Sequence, residues 1–342
     1  MKVSELGEFG LIDLIRSSVA RYDDCGRTPW REIVVGIGDD AAAWRADGQI
    51  LLATTDTLVQ EIHFNLDVIS WEELGWKTLA VNLSDIAAMG GIPKYALLSL
   101  ALPGDLQAED ISRFADGLMR LAGEFRVAVV GGNISAAPNV VITATVIGCS
   151  RGEAILKRST ACPGDLIAVT GYPGLSAAGL EMLKGRAISD PEMSSVLRCA
   201  HLQPRPRIEE ARILTEQGVK TAIDVSDGLV ADLDHICECS KVNARIDMQR
   251  VPVHPMLEAN FPNYRDLALS GGEDYELLFT ADEATLARVN QALNCPVAVI
   301  GEIRAEESVK RVTVVDSRGD AISYRKGGWE HFKHGVTKAY LA

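Results

Sequence analysis

Carboxylates stand in this sequence where buried strands and helices ordinarily carry apolar side chains. Asp39 and Asp40 follow the GIG at 36–38, and Asp56 follows Thr54 and Thr55 at the end of an apolar run. Asp85 is the one charged residue between Lys77 and Lys94, Asp224 and Asp227 bracket Ser226, and Glu273 and Asp274 follow a double glycine. Singly, most have a plain structural reading: Asp40 suits a turn, and Asp227 suits a helix N-cap. Asp85 does not, because a carboxylate in apolar surroundings is costly unless paired or coordinated. Together they suit hard divalent cations. Magnesium takes oxygen ligands and is held by a few carboxylates plus substrate phosphates. Phosphoryl transfer at such a site works by positioning and charge neutralisation and needs no nucleophilic side chain. None stands out, since the chain has neither a G-x-S-x-G elbow nor a Cys–His arrangement.

The common nucleotide signatures are missing. There is no G-x-x-x-x-G-K-[ST], no kinase-type catalytic loop, and the GIG at 36–38 lacks the third glycine of a dinucleotide fingerprint. Gly131-Gly132, the GYPG at 171–174 and Gly271-Gly272 read as tight turns, any of which brings backbone N–H groups near phosphates.

The elements that must carry these residues alternate strands with helices. Residues 50–55 form a strand ending at Asp56. Ser70 and Glu73 have capping-box spacing and open a helix that stops at Gly90-Gly91. Residues 106–123 carry a helical stripe of Ile111, Phe114, Leu118 and Leu121. Strands follow at 126–130, ending in Gly131-Gly132, and at 140–148. Beyond 150 come strands at 165–170, 221–225, 275–280 and 297–300, with Ser226 and Asp227 as N-cap residues for the helix after the second of these. A domain boundary is expected near 150, giving domains 1–150 and 151–342.

Of 342 residues, 34 are Lys or Arg and 47 Asp or Glu, for a formal charge of −13. That balance argues against a nucleic-acid partner, which needs basic surface. Eight of the acids fall in the candidate positions, and removing them would bring the charge from −13 to −5. Residues 1–10 have no apolar core of a signal peptide. The uncharged stretch 127–150 has the length of a membrane span, but glycines, asparagines and a proline interrupt it, so two strands and a loop are expected. The seven scattered cysteines form no CxxC pair and read as reduced thiols of a cytoplasmic protein.

At these residues a resemblance becomes specific. The set GIGDDAAA (36–43), TTD (54–56), NLSDIAAMGGIP (82–93), VVGGN (129–133), RSTACPGD (158–165), DVSDGL (224–229) and SGGEDYEL (270–277) resembles the thiamine-monophosphate kinase family. EIHF at 61–64 and GWEHF at 328–332 are similar to further motifs of that family. The resemblance implies an α+β, two-domain aminoimidazole ribonucleotide synthetase-like fold. Its N-terminal mixed sheet would form a homodimer, and its C-terminal part would be an α/β sandwich. It implies ATP-dependent phosphorylation of thiamine monophosphate to thiamine diphosphate by direct in-line transfer, with several Mg2+ ions. The alternatives are another ATP-using enzyme of the same superfamily or a non-catalytic nucleotide-binding relative.

Carried over by position, the resemblance makes Asp40, Thr54, Thr55, Asp56, Asp85, Asn133, Asp224 and Asp227 metal ligands, with charge stabilisation by Asp56, Asp85 and Asp224. Gly132, Asn133, Arg158 and Ser226 would contact ATP, and His63, Glu273 and Trp329 the thiamine phosphate. Asn133 departs from the family, which more often has Asp there; its carbonyl oxygen remains, but the charge does not. Plain readings stay open for three of these. His63 is either a ligand or a structural histidine, and Arg158 either a phosphate clamp or a surface charge. Trp329 either stacks on a cationic ring or anchors the C-terminal segment.

Overall fold

The computed structural model describes residues 3–20, 30–306 and 311–324. These divide into two compact units. Among the described residues, the first comprises those up to Asn82 and Ile92–Glu153, and the second Leu83–Gly91 and those from Ala154 to Tyr324. Trp329 lies outside the described residues.

In the first unit the elements run α1 (Val3–Ala20), β1 (Ile33–Val35), β2 (Ala42–Ala46), β3 (Gln49–Val59), α2 (Trp71–Ala88), β4 (Ile92–Leu102), α3 (Ala108–Phe125), β5 (Ala128–Ala136) and β6 (Val141–Cys149). The last turns of α2, from Leu83, belong to the second unit. The six strands form one sheet in the order β1-β2-β3-β6-β4-β5, antiparallel except for the parallel pair β4–β5. Asp47 and Gly48, both at positive φ, close the two-residue turn between β2 and β3. The capping box opens α2 as expected: the Glu73 N–H donates to Ser70 Oγ (3.2 Å), and the Ser70 N–H to Glu73 Oε2 (2.8 Å). In α3 the predicted stripe buries Phe114, Leu118 and Leu121. Gly75 and Gly117 let α2 and α3 touch backbone to backbone, for a Cβ on either would strike the other helix's main chain.

Two strand ends differ from expectation. β3 runs on to Val59, so Asp56 sits inside a strand rather than at its end. β5 runs through Gly131-Gly132 instead of turning there. Both glycines have φ near +155°, and a Cβ on Gly132 would collide with the Leu98 carbonyl of β4, so the double glycine serves close strand pairing. The uncharged stretch 127–150 becomes β5, a loop and β6. No helix among the described residues is long and apolar enough to cross a membrane.

The second unit continues with β7 (Leu166–Thr170), α4 (Leu175–Leu183), α5 (Pro191–Leu202), α6 (Ile208–Glu216), β8 (Thr221–Asp224), α7 (Leu229–Ser240), β9 (Val242–Asp247), α8 (Pro255–Asn260), α9 (Tyr264–Ser270), β10 (Leu277–Ala281), α10 (Glu283–Ala292), β11 (Val297–Ala305) and β12 (Val312–Val315). Its sheet has the order β12-β9-β11-β7-β10-β8, with β9–β12 as the parallel pair. Leu229, Leu233 and Ile236 of α7 share a core with Ile167, Ile223, Ile246 and Leu278 from the strands. A second core joins α4, α5, α8 and α9 through Ala178, Leu197, Leu257, Phe261 and Leu267.

Candidate active site

In the first unit, Thr54 and Asp56 alternate with Thr55 along β3, sharing the face of the buried Ile50, Leu52 and Leu58. The Asp56 N–H donates to the Oδ1 of the buried Asn82 at 3.1 Å, tying β3 to α2. Thr55 lies on the other face, where its hydroxyl bonds the Ala144 carbonyl and the Thr145 hydroxyl, both at 3.0 Å. A contribution from Thr55 to an ion would therefore come from its backbone. Asp40 is buried on the loop after β1, and its N–H donates to Asp39 Oδ1 at 3.0 Å. The Arg16 guanidinium of α1 lies against Gly38 of the same loop.

The register aligns Gly132 with Leu98, Ala144 and so with Asp56, and Asn133 with Ser99, Thr143 and so with Thr57. Three strand spacings, about 14 Å, separate β3 from β5. This sheet thus does not bring Asp56 and Asn133 together. His63 stands in the turn after β3. Its Nδ1 accepts the Val59 N–H at 3.0 Å, which makes it a structural acceptor and puts the proton of the neutral ring on Nε2.

In the second unit the acids converge. Asp85, near the end of α2, and Asp224, at the end of β8, bring carboxylate oxygens within 4.8 Å of each other. Asp224 is 1% exposed, and its Oδ2 accepts the Ser84 hydroxyl at 2.6 Å. The expected N-cap role of Ser226 and Asp227 is not what the chain does. Gly228 takes the N-cap position of α7 without a side-chain cap. Instead Asp232, in the first turn of the helix, reaches back. Its Oδ2 accepts the N–H groups of Ser226, Asp227 and Gly228 at 3.1, 3.2 and 3.0 Å. Burial pushes the Asp232 carboxyl well above its usual range, Asp227 and Asp224 push it further, and Arg158 pulls it back. Asp227, Asp232 and His235 also place one ligand-capable atom each within 4.8 Å of one another. Such crowding of negative charge is what a hard cation relieves, and the aspartate donors, unlike the His235 nitrogen, are oxygens of the kind magnesium takes. Arg158 lies in a short 3-10 turn whose carbonyl accepts the Ser240 hydroxyl at 2.7 Å.

The loop carrying Glu273 is fastened to the loop carrying Ser226. The Glu273 N–H donates to the Ser226 carbonyl at 2.7 Å, and the Tyr275 N–H to the Val225 carbonyl at 2.9 Å. Gly272 lies so close to the Ser226 carbonyl that a Cβ there would clash. Glu273 and Tyr275 both have positive φ, 64° and 52°, a strained backbone of the kind kept where surroundings over-determine it. Asp274 is half-buried and accepts the Gly174 and Ser176 N–H groups at 2.7 and 3.0 Å, organising the start of α4. Burial raises its pKa to about 8, against the opposing pull of those two bonds. Glu276, next but one, is held by the Thr170 hydroxyl (2.6 Å) and a two-pronged Arg207 (2.7 and 2.5 Å). The sequence reading missed Asp232 and His201, the latter a buried histidine of α5 whose Nδ1 lies 3.5 Å from Glu273 Oε2. The spacing of Asp232 after DVSDG was a usable signal; His201 had none.

With this geometry in place, the comparisons give the class first. Residues 38–150 match the model of the AIR synthase related protein N-terminal domain, and residues 162–314 that of its C-terminal domain. The thiamine-monophosphate kinase of Bacillus subtilis is 39% identical over 309 residues, 87% of this chain and 94% of that protein. The thiamine-monophosphate kinase of Escherichia coli K12 is 38% identical over 333 residues, 95% of this chain and 98% of that protein. The solved structure of AaThiL complexed with AMPPCP and TMP superposes with a TM-score of 0.83 at 35% identity, covering 97% of this chain and 99% of that one. The chain belongs to the thiamine-monophosphate kinase family, and it is an enzyme of that phosphate-transferring kind.

Proposed function

We propose that this protein transfers the γ-phosphoryl group of ATP to thiamine monophosphate, making thiamine diphosphate and ADP. The observation that carries the reading is the paired carboxylates of Asp85 and Asp224 in a chain of this family. AaThiL, of the same fold, was solved with an ATP analogue and TMP. The phosphate of the acceptor attacks the γ-phosphorus in line, and no phosphoenzyme forms. Several magnesium ions supply charge neutralisation when bound. Asp40, Thr54, Thr55 and Asp56 of the first unit, and Asp85, Asp224 and Asp227 of the second, hold them. Asn133 supplies a neutral oxygen. Gly132, Asn133, Arg158 and Ser226 bind ATP, and His63, Glu273 and Trp329 bind thiamine monophosphate. Residues 1–150 act as the nucleotide-binding and dimerising domain, and 151–342 supply phosphate and substrate contacts.

The protein works as a cytoplasmic homodimer in this reading. Tyr95, Leu97 and Val130 are exposed on or beside β4 and β5, an apolar patch at the edge of the first sheet that a second copy would cover. Cys149, Cys162, Cys199, Cys237 and Cys295 carry free thiols, in keeping with a reducing compartment.

The test is a coupled assay of ADP release with thiamine monophosphate, with and without Mg2+, and direct detection of thiamine diphosphate. Turnover that needs both is expected. Binding of both substrates with no thiamine diphosphate formed would sink the reading; turnover on a different acceptor would move the chain to a sister activity.

A further inference from the structure

A buried histidine stands behind the carboxylate that is proposed to meet the substrate. His201 is 1% exposed, and the Glu273 side chain 30%. The His201 Nδ1 lies 3.0 Å from Ser176 Oγ and 3.5 Å from Glu273 Oε2. A carboxylate beside that nitrogen is favourable only if the nitrogen carries the proton, since two acceptors facing each other repel. With its proton on Nδ1, the imidazole donates to Ser176 Oγ and presents a favourable face to Glu273 Oε2. Ser176 is itself fixed, because its N–H donates to Asp274 at 3.0 Å. The chain of contacts runs from Asp274 through Ser176 and His201 to Glu273, every member within the second unit. Glu273 needs such a brace. Its backbone is at φ 64°, and its N–H is already spent on the Ser226 carbonyl, so the side chain's direction is set by what grips the carboxylate.

We propose that His201 is a positioning residue that orients the Glu273 carboxylate toward the thiamine part of the phosphate acceptor and so sets acceptor affinity. The inference rests on the proposed reading of Glu273 as a substrate contact. The imidazole faces Oε2 of the carboxylate at 3.5 Å and so biases the direction in which the group meets a donor or cationic group of the ligand. His201 touches neither nucleotide nor metal in this scheme, so its loss acts on the acceptor alone.

The experiment compares wild type, Glu273→Gln, His201→Phe, His201→Asn and the double variant His201→Phe with Glu273→Gln. Each is measured for the KM of thiamine monophosphate, the KM of ATP and melting temperature. Phe keeps ring volume and deletes the donor, whereas the Asn amide places an N–H close to where Nδ1 was. The expected result is a rise of about tenfold in acceptor KM for His201→Phe, an unchanged ATP KM, and recovery to within about threefold in His201→Asn. In the Glu273→Gln background, His201→Phe should add less than a further twofold. If His201→Phe does not fold, Ser176→Ala, which frees the same imidazole, is expected to raise acceptor KM about threefold. Equal rises in both KM values, or full additivity with Glu273→Gln, would overturn the proposal and leave His201 a packing residue. Wild type without turnover on thiamine monophosphate would instead overturn the proposed function. Glu273→Gln with unchanged acceptor KM would overturn the role of Glu273 and the inference with it.

Discussion

The two sheets have six strands each and one parallel pair apiece, yet they are buried in opposite ways. Along β6 of the first sheet, buried Ile142, Ala144, Val146 and Gly148 alternate with half-buried Val141, Thr143, Thr145 and Ile147. In the second sheet, β8 and β10 are buried at every position. A sheet with one covered face shows period-two alternation, and one covered on both faces shows an unbroken apolar run. The difference assigns different work. At β8 and β10 the second sheet is a closed scaffold whose strand ends carry anchored loops, while β11 stays partly open. The first keeps a face available, and its acids ride on the strand itself or on the loop after β1.

The largest effect expected from breaking this comparison is at the acids. Asp56→Asn, within a strand, and Asp224→Asn, at a strand end, should each lower kcat by about 100- to 1,000-fold with little loss of fold, because each removes charge stabilisation in the transition state. Steady-state kinetics beside thermal melts decide it. Melting that falls in step with kcat would make these acids structural.

Asp232→Ala comes next. It strips the acceptor from three N–H groups, each costing about 1–3 kcal/mol when buried and unmet, so unfolding free energy should drop by about 3 kcal/mol or more. Urea denaturation reads this directly, and no change would show the loop to be held by other means. On the first sheet, Leu97→Asp places a charge on the exposed face and should shift the proposed dimer to monomer in light scattering, with its circular dichroism retained. A dimer that survives would move the interface elsewhere.

Asp274 gives a pH-dependent test of the closed scaffold. Its folded pKa, about 8, lies above the ordinary carboxyl value of 3.8. Between those values the folded state holds a proton the unfolded state has lost. Its contribution to stability is therefore fully present below about pH 4 and drains away up to about pH 8. Asp274→Asn should be less stable throughout, since an amide N–H2 cannot accept one of the two backbone bonds, but its stability should fall less steeply over that window. Parallel slopes in denaturation from pH 4 to 8 would refute this. The smallest effect is Asn133→Asp, which adds a carboxylate at a proposed ion ligand and should lower the half-saturating Mg2+ concentration by a few-fold.

How much of this was legible depended on the range over which each residue's reason acts. Ser70 and Glu73 are three residues apart and announce a helix start by themselves, and the α3 stripe needs only its own turns. Acids in apolar settings pointed to Asp85 and Asp224 because the burial cost is local and severe. Gly131-Gly132 was misread as a turn because its reason is the carbonyl of Leu98 on a neighbouring strand. Ser226 and Asp227 were read as caps from residue type alone, whereas the acceptor came from Asp232, whose spacing after DVSDG was the signal to follow. His201 was invisible, as its partners are brought to it only when α4, α5 and the 271–276 loop assemble.

The threonines of the first sheet's open face have a bearing on how that face can be covered. Thr55 and Thr145 share a hydroxyl bond at 3.0 Å, and Thr57 and Thr143 one at 2.8 Å. Each hydroxyl already has its partner within the sheet. Thr55 donates to the Ala144 carbonyl and Thr145 to Thr55, so that pair loses its water without stranding a donor, whereas Thr57 and Thr143 have two protons for one shared bond and leave one for a covering surface to accept.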